Sequence, residues 1–165
     1  MNFEQIVTHI KTSLVEGIVL STDENASPKA IVINAKSLVE LMGFLQKNDQ
    51  LYFDSLSCIT GLDNGPETNT MEMIYNLYSI PFGHHLMVKI ELARENPAID
   101  SLCGLWKTAD WQEREVYDMY GIHFSNHPDL RRILMPADWE GHPLQKDYVE
   151  PETYRGMETV RNEEA

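Results

Sequence analysis

With 165 residues, 42% of them hydrophobic, the chain is long enough for one domain with a real core and too apolar to be disordered. Its formal net charge of -13 argues against nucleic-acid phosphates and anionic lipid as direct partners, since both repel an acidic surface. Only Cys58 and Cys103 are present, far apart and outside any CxxC pair, so a reducing compartment is expected rather than a disulfide scaffold.

No charged start followed by an apolar run opens the chain, so no signal peptide is expected. No stretch is long and apolar enough to span a bilayer, and any membrane link is expected to be indirect. Asn2 and Gln5 form a capping box, and Phe3, Ile6, Val7, Ile10 and Leu14 share the face of a first helix that Gly17 ends. Ile18 to Leu20 and Ala30 to Ile33 read as short strands around a turn from Thr22 to Pro28. Ser37 with Glu40 reads as a second capping box, ahead of a helix with a stripe of Leu38, Leu41, Met42 and Leu45.

Three strand-like runs follow: Leu51 to Ile59, Met71 to Ile80, and one in which Leu86, Val88, Ile90 and Leu92 alternate with Met87, Lys89 and Glu91. Asp63-Asn-Gly-Pro66 and Pro81-Phe-Gly83 separate them, so an antiparallel meander with one wetted face is expected. Asn96-Pro97 reads as a helix start, with Ile99, Leu102, Cys103 and Trp106 on one face. Asp110 with Glu113 reads as a third capping box, opening a helix that Gly121 closes. Beyond Phe124, Pro128, Pro136, Pro143 and Pro151 leave no room for a long regular element. The expected fold is α+β, a mainly antiparallel sheet with helices packed on one face: a globular body over 1–122 and an extended arm over 123–165 that wraps a partner and does not fold independently.

The densest chemistry lies between Glu113 and Leu134. Glu115 and Asp118 are near neighbours on a helix surface, as an acid/base pair requires; the competing reading is capping plus an Arg114–Asp118 ion pair. His123 and His127 are four apart but not on a helix, and no recognisable zinc spacing joins them to the other histidines and the two cysteines. Two distant cysteines do not suit an iron–sulfur cluster, and no Gly-rich phosphate loop is present. Asp129-Leu-Arg-Arg132 sets two guanidinium groups beside a carboxylate and ahead of Ile133-Leu134-Met135, an anchor within the chain or to a partner. Trp106, Trp111 and Trp139, with Tyr117 and Tyr120, crowd the same region, where Trp, Tyr and Arg favour contact surfaces.

These residues resemble the C-subunit family of NADH:quinone oxidoreductase, the thirty-kilodalton subunit family of respiratory complex I. The resemblance runs through Glu113-Arg-Glu115, Asp118-Met-Tyr120, His127, Arg131, Ile133-Leu134, Met135 to Leu144, and Lys146-Asp-Tyr148. Upstream, Leu51 to Leu56 and Tyr75 to Tyr78 resemble the family's strand motifs. It implies a non-redox structural subunit of the hydrophilic arm, in the quinone-reducing module of a proton-translocating complex. The complex would be a peripheral assembly on the cytoplasmic face of the inner membrane. FMN, iron–sulfur clusters and quinone would be held by other subunits, and this chain would bind no cofactor or metal and carry no catalysis alone. Its partners would be chiefly the quinone-site D subunit and the cluster-bearing B and I subunits. Glu113, Arg114, Glu115, Asp118, His127, Asp129, Arg131, Arg132, Trp139, Lys146, Asp147 and Tyr148 would form a structural and interface network. Two alternatives stand beside this: the equivalent subunit of a membrane-bound hydrogenase or coenzyme-F420-type dehydrogenase, and a stand-alone enzyme using Glu115 and Asp118.

Overall fold

The computed structural model describes residues 1–159. Helix α1 (Phe3–Ser13) forms as its sequence demands: the Asn2 side chain accepts the Gln5 N–H at 2.9 Å, and the Gln5 side chain accepts the Asn2 N–H at 2.9 Å. Its buried face is Ile6, Val7 and Ile10. Strands β1 (Val19–Asp23) and β2 (Ala30–Ile33) pair antiparallel. Helix α2 (Leu38–Lys47) buries Leu38, Leu41, Met42 and Leu45. Ser37 does not cap it, as its side chain makes no bond to the helix. The chain enters through a single 3-10 turn over Ala35–Ser37, capped by Asn34 on the Lys36 N–H at 3.0 Å.

Strands β3 (Ser55–Asp63), β4 (Thr70–Ser79) and β5 (His84–Ala93) form the expected antiparallel meander. The first of these strands starts later than its composition suggests. Leu51 and Phe53 are buried, but their amides bond back to Asn48 and Leu45 and extend the end of α2. The five-stranded sheet runs β1-β2-β5-β4-β3, with β2 and β5 the one parallel pair in it. Met71, Met73, Tyr75 and Leu77 of β4 sit opposite Leu92, Ile90, Val88 and Leu86 of β5. These buried side chains line one face, which joins the apolar faces of the helices in a single core. The residues between them, such as Glu72, Asn76 and Tyr78, are half-buried on the wetted face.

No helix starts at Pro97. Strand β6 (Ala98–Asp100) pairs parallel with β7 (His123–Ser125), placing buried Ile99 beside buried Phe124. Leu102 and Trp106 reach the core from turns instead, with the Leu105 and Trp106 amides bonding the Leu102 carbonyl. Their helix-like spacing reflects burial on one side, and pairing with a distant strand outcompetes the local pattern.

Helix α3 (Ala109–Tyr120) crosses β3 and ends at Gly121, whose φ of 78° is the left-handed cap conformation. Neither Asp110 nor Glu113 caps it. Thr108 holds the cap position without a side-chain bond to the helix, and Glu113 turns into the core. Gly61 of β3 lets α3 approach: a Cβ there would lie 2.9 Å from Val116 Cγ1 and 2.9 Å from Tyr120 Cδ2. Past β7 the chain runs in turns along α3 to a small hairpin of β8 (Thr153–Tyr154) and β9 (Met157–Glu158). Of the segment read as an arm, residues 160–165 lie outside the described residues.

Replacing Gly61 by Val forces α3 off the sheet. We expect a loss of about 1–3 kcal/mol in urea unfolding of the purified chain, the cost of overpacking a close contact; a midpoint unchanged from wild type contradicts the close approach.

Candidate functional site

Two buried carboxylates tie the turns after β7 back onto the body. Asp118, on the inner side of α3, is fully buried. Its Oδ2 accepts the backbone N–H groups of Ile133, Leu134 and Met135 at 3.0, 2.7 and 2.8 Å. Its Oδ1 accepts Arg132 Nη1 at 2.7 Å. Burial alone raises a carboxyl's pKa, but here the three amides and the guanidinium outweigh it, so Asp118 is held below its ordinary range. Arg132 extends the knot by donating to the Gly141 carbonyl at 2.8 Å. His142 Nδ1 donates to the Asp118 carbonyl at 2.9 Å.

Asp63, at the end of β3, is the second anchor. Arg94, just past β5, grips it in a two-pronged pair, Nε to Oδ1 at 2.8 Å and Nη2 to Oδ2 at 3.1 Å. Asp63 also accepts the Gly65 and Lys146 backbone N–H groups at 3.0 and 2.8 Å. The Arg94 guanidinium beside it and these amides bring its carboxyl to about 2. Arg94 reaches on to Asp147, so the chain at 146–147 is clamped to the sheet. The Leu144 N–H and the Gln145 side chain bond the Met119 and Tyr120 carbonyls, fixing the stretch between the two anchors.

Glu113 is buried on the other side of α3. It accepts Ser101 Oγ at 2.6 Å and the Leu102 N–H at 2.7 Å. Burial lifts its carboxyl above the ordinary value despite these bonds. Cys103, Glu113 and His127 bring ligating atoms within 4.8 Å of one another. The hydrogen bonds give this trio another role. His127 Nδ1 accepts the Asp129 N–H at 3.0 Å, which puts the ring proton on Nε2, where it donates to the Asp110 carbonyl at 3.1 Å. A cation at Nε2 has to displace that proton and break one of the two bonds. Burial also pushes the Cys103 thiol up to about 11, far from the thiolate a metal prefers. The group pins the His-Pro-Asp turn to α3.

Of the residues expected in a network, Glu113, Asp118, His127, Arg132, Lys146 and Asp147 are brought into these three knots. Arg114 joins differently: it does not pair with Asp118 but donates to the Arg131 and Arg132 carbonyls at 3.1 and 3.3 Å. Asp129 and Arg131 pair with each other at 2.9 Å on the surface. Trp139 donates to Tyr148 Oη at 2.9 Å and packs at a tilt against Tyr154, outside the knots. Glu115 is exposed and joins none of them. The Glu115–Asp118 acid/base pair is therefore not assembled, since Asp118 is occupied by four donors. Sequence reasoning missed Asp63, Arg94 and Ser101. Asp63 looks like a turn breaker, and only its burial beside a distant arginine reveals its role.

The matches to known proteins cover both anchors. Residues 31–154 match the family described as "Respiratory-chain NADH dehydrogenase, 30 Kd subunit". The chain belongs to this thirty-kilodalton subunit family. The C subunit of NADH-quinone oxidoreductase from Chlorobium phaeobacteroides is 42% identical over 127 residues, 76% of this chain and 76% of that protein. The C subunit from Geotalea uraniireducens is 39% identical, covering 84% and 85%. That of Chloroherpeton thalassium is 42% identical over 79% of this chain, but the match spans only 54% of that longer protein. A solved trypsin-resistant fragment of Nqo5 superposes with a TM-score of 0.64 at 27% identity, covering 79% of this chain and 100% of the fragment. A chain from an archaeal membrane-bound sulfane sulfur reductase has a TM-score of 0.73 at 20% identity, over 88% of this chain and 85% of that one, a likeness of fold alone. The family match thus spans the meander, α3 and the anchored turns up to Tyr154.

The buried carboxylates predict opposite responses. Asp118→Asn puts an amide N–H or a weaker acceptor against four donors, and we expect a loss of about 3–5 kcal/mol or release of residues 131–148, read by hydrogen exchange at the 133–135 amides. Because the folded pKa of Asp118 is depressed, its contribution is present above its ordinary value of 3.8 and lost as pH falls further. Glu113, with a raised folded pKa, costs stability as pH rises above 4.5. Glu113→Gln keeps an acceptor for Leu102 and donates to Ser101 Oγ. It is expected to change unfolding free energy by less than about 1 kcal/mol at neutral pH and to flatten the pH profile there.

Proposed function

We propose that this chain is a non-redox structural subunit in the quinone-reducing module of an NADH:quinone oxidoreductase. In this reading it clamps neighbours that carry the chemistry. FMN, iron–sulfur clusters and quinone belong to those neighbours, chiefly the quinone-site D subunit and the cluster-bearing B and I subunits. The assembly sits on the cytoplasmic face of the inner membrane and couples quinone reduction to proton translocation. Among the described residues no helix is long and apolar enough to cross a membrane.

The observation that carries the reading is the family match across 31–154, together with what the anchored turns present. Their backbone is bonded inward to Asp118 and Asp63, while Leu134, Leu144 and Val149 point outward and are 60%, 51% and 84% exposed. A run fixed on one side and apolar on the other is suited to a second protein surface. The relatives that are C subunits of NADH-quinone oxidoreductase favour this over a hydrogenase-type assembly, for which the sulfane sulfur reductase chain offers only shared fold. A stand-alone acid/base enzyme is disfavoured because Asp118 is kept ionised and saturated with donors.

A tag on this chain, followed by mild detergent extraction, is expected to recover the flavin-, cluster- and quinone-binding subunits together; recovery of a lone monomer from the same membranes overturns the reading. Arg131 is 71% exposed in a surface pair with Asp129, which contributes no more than about 1 kcal/mol to folding. Arg131→Ala is therefore expected to lower the yield of assembled complex while the complex that survives keeps its turnover. Normal yield with abolished turnover contradicts a mechanical role.

A further inference from the structure

The end of the sheet opposite the Asp63–Arg94 anchor carries a second surface that no knot uses. There, the outer face of α1, the loop after α2 and the β4–β5 turn enclose an open cleft of about 880 Å³. Phe82, in the turn, forms one wall and is 49% exposed. It is not a loose side chain. Its ring stacks on His84 at 5.8 Å, and His84 Nε2 donates to the Leu51 carbonyl at 2.7 Å. A partly exposed aromatic ring held in place by a buried neighbour is prepared for a contact without further ordering cost.

The α1 wall is less polar than its sequence suggests. The Thr8 and Thr12 hydroxyls donate to the Glu4 and His9 carbonyls of their own helix, at 2.8 and 3.1 Å, which leaves their methyl groups available to the cleft. Between them His9 also lines the cleft, and its Nε2 is buried without a hydrogen-bond partner among the described residues. On opposite walls stand Glu4 and Asp49, neither in an ion pair among the described residues.

We propose that this cleft is a second docking site, taken by a segment of a neighbouring subunit that inserts an apolar side chain beside Phe82, flanked by Lys or Arg facing Glu4 and Asp49. The apolar anchor follows from Phe82 and the threonine methyls, and the basic flanks from two unpaired carboxylates on a chain of net charge -13. A cleft this open suits a peptide segment rather than an enclosed small ligand. The proposal rests on the chain being a subunit of a larger assembly, and adds a contact independent of the anchored turns.

The test places a photoreactive phenylalanine analogue at Thr12 in one strain and at Val149 in another, and illuminates the intact membrane complex. The cleft position is expected to link to one peptide of another subunit, with a basic residue beside the linked apolar one. Glu4→Lys combined with Asp49→Lys is expected to reduce that link at least fivefold and leave the Val149 link unchanged. A link at Val149 with none at Thr12, a link from Thr12 only to lipid or to a second copy of this chain, or a Thr12 link indifferent to the charge reversal overturns the docking site alone. Absence of links from both positions overturns the subunit reading with it.

Discussion

Asp118 is the constraint on which the second half of the molecule depends. A carboxylate without exposure is costly unless its lone pairs are filled, and α3 supplies none of the partners itself. Three consecutive amides and Arg132 fill them, all from residues 132–135. The carboxylate needs that stretch to be tolerated inside the protein, and the stretch, lacking a sheet or helix of its own, needs the carboxylate to satisfy its amides. Asp63 repeats the arrangement further along, with Arg94 balancing its charge and Lys146 lending an amide. An irregular, proline-interrupted segment thereby acquires a defined path without regular secondary structure.

The sheet and its helices give these anchors their positions. Asp63 ends β3 and Arg94 follows β5, so the β3–β4–β5 register sets how the pair meets. Gly61 admits α3 closely enough for Asp118 to lie beneath the returning chain. Glu113, on the same helix, fixes the loop after β6 and sits within 3.9 Å of His127. The helix thus presents two buried carboxylates with different tasks. One is kept charged by four donors; the other has fewer partners and a stronger pull toward its neutral form.

Local signals were readable wherever the controlling interaction is local. The Asn2–Gln5 box, the alternation along β4 and β5, and the Gly121 cap all act within a few residues, and all three stand in the structure. The two later capping boxes have the same spacing but lose to context: a 3-10 turn precedes α2, and Glu113 bonds Ser101 and Leu102 instead. The stretch after Pro97 looked helical because Ile99, Leu102 and Trp106 all face the core, while the strand that pairs with it lies beyond α3. The charged residues from Glu113 to Arg132 were legible as a network from their density, but not their pairing. Arg114 stands four residues before Asp118, yet Arg132 takes that carboxylate from across a turn. Asp63 and Arg94 were invisible for the same reason, since nothing in either neighbourhood announces the other.

Anchoring through main-chain amides has a consequence for how such a surface can change. At 133, 134, 135 and 146 the group held by the carboxylate is common to every residue except proline. What is gripped and what is displayed are thereby uncoupled. Outward side chains can drift with a co-evolving neighbour, one substitution at a time, while the path of the backbone stays put.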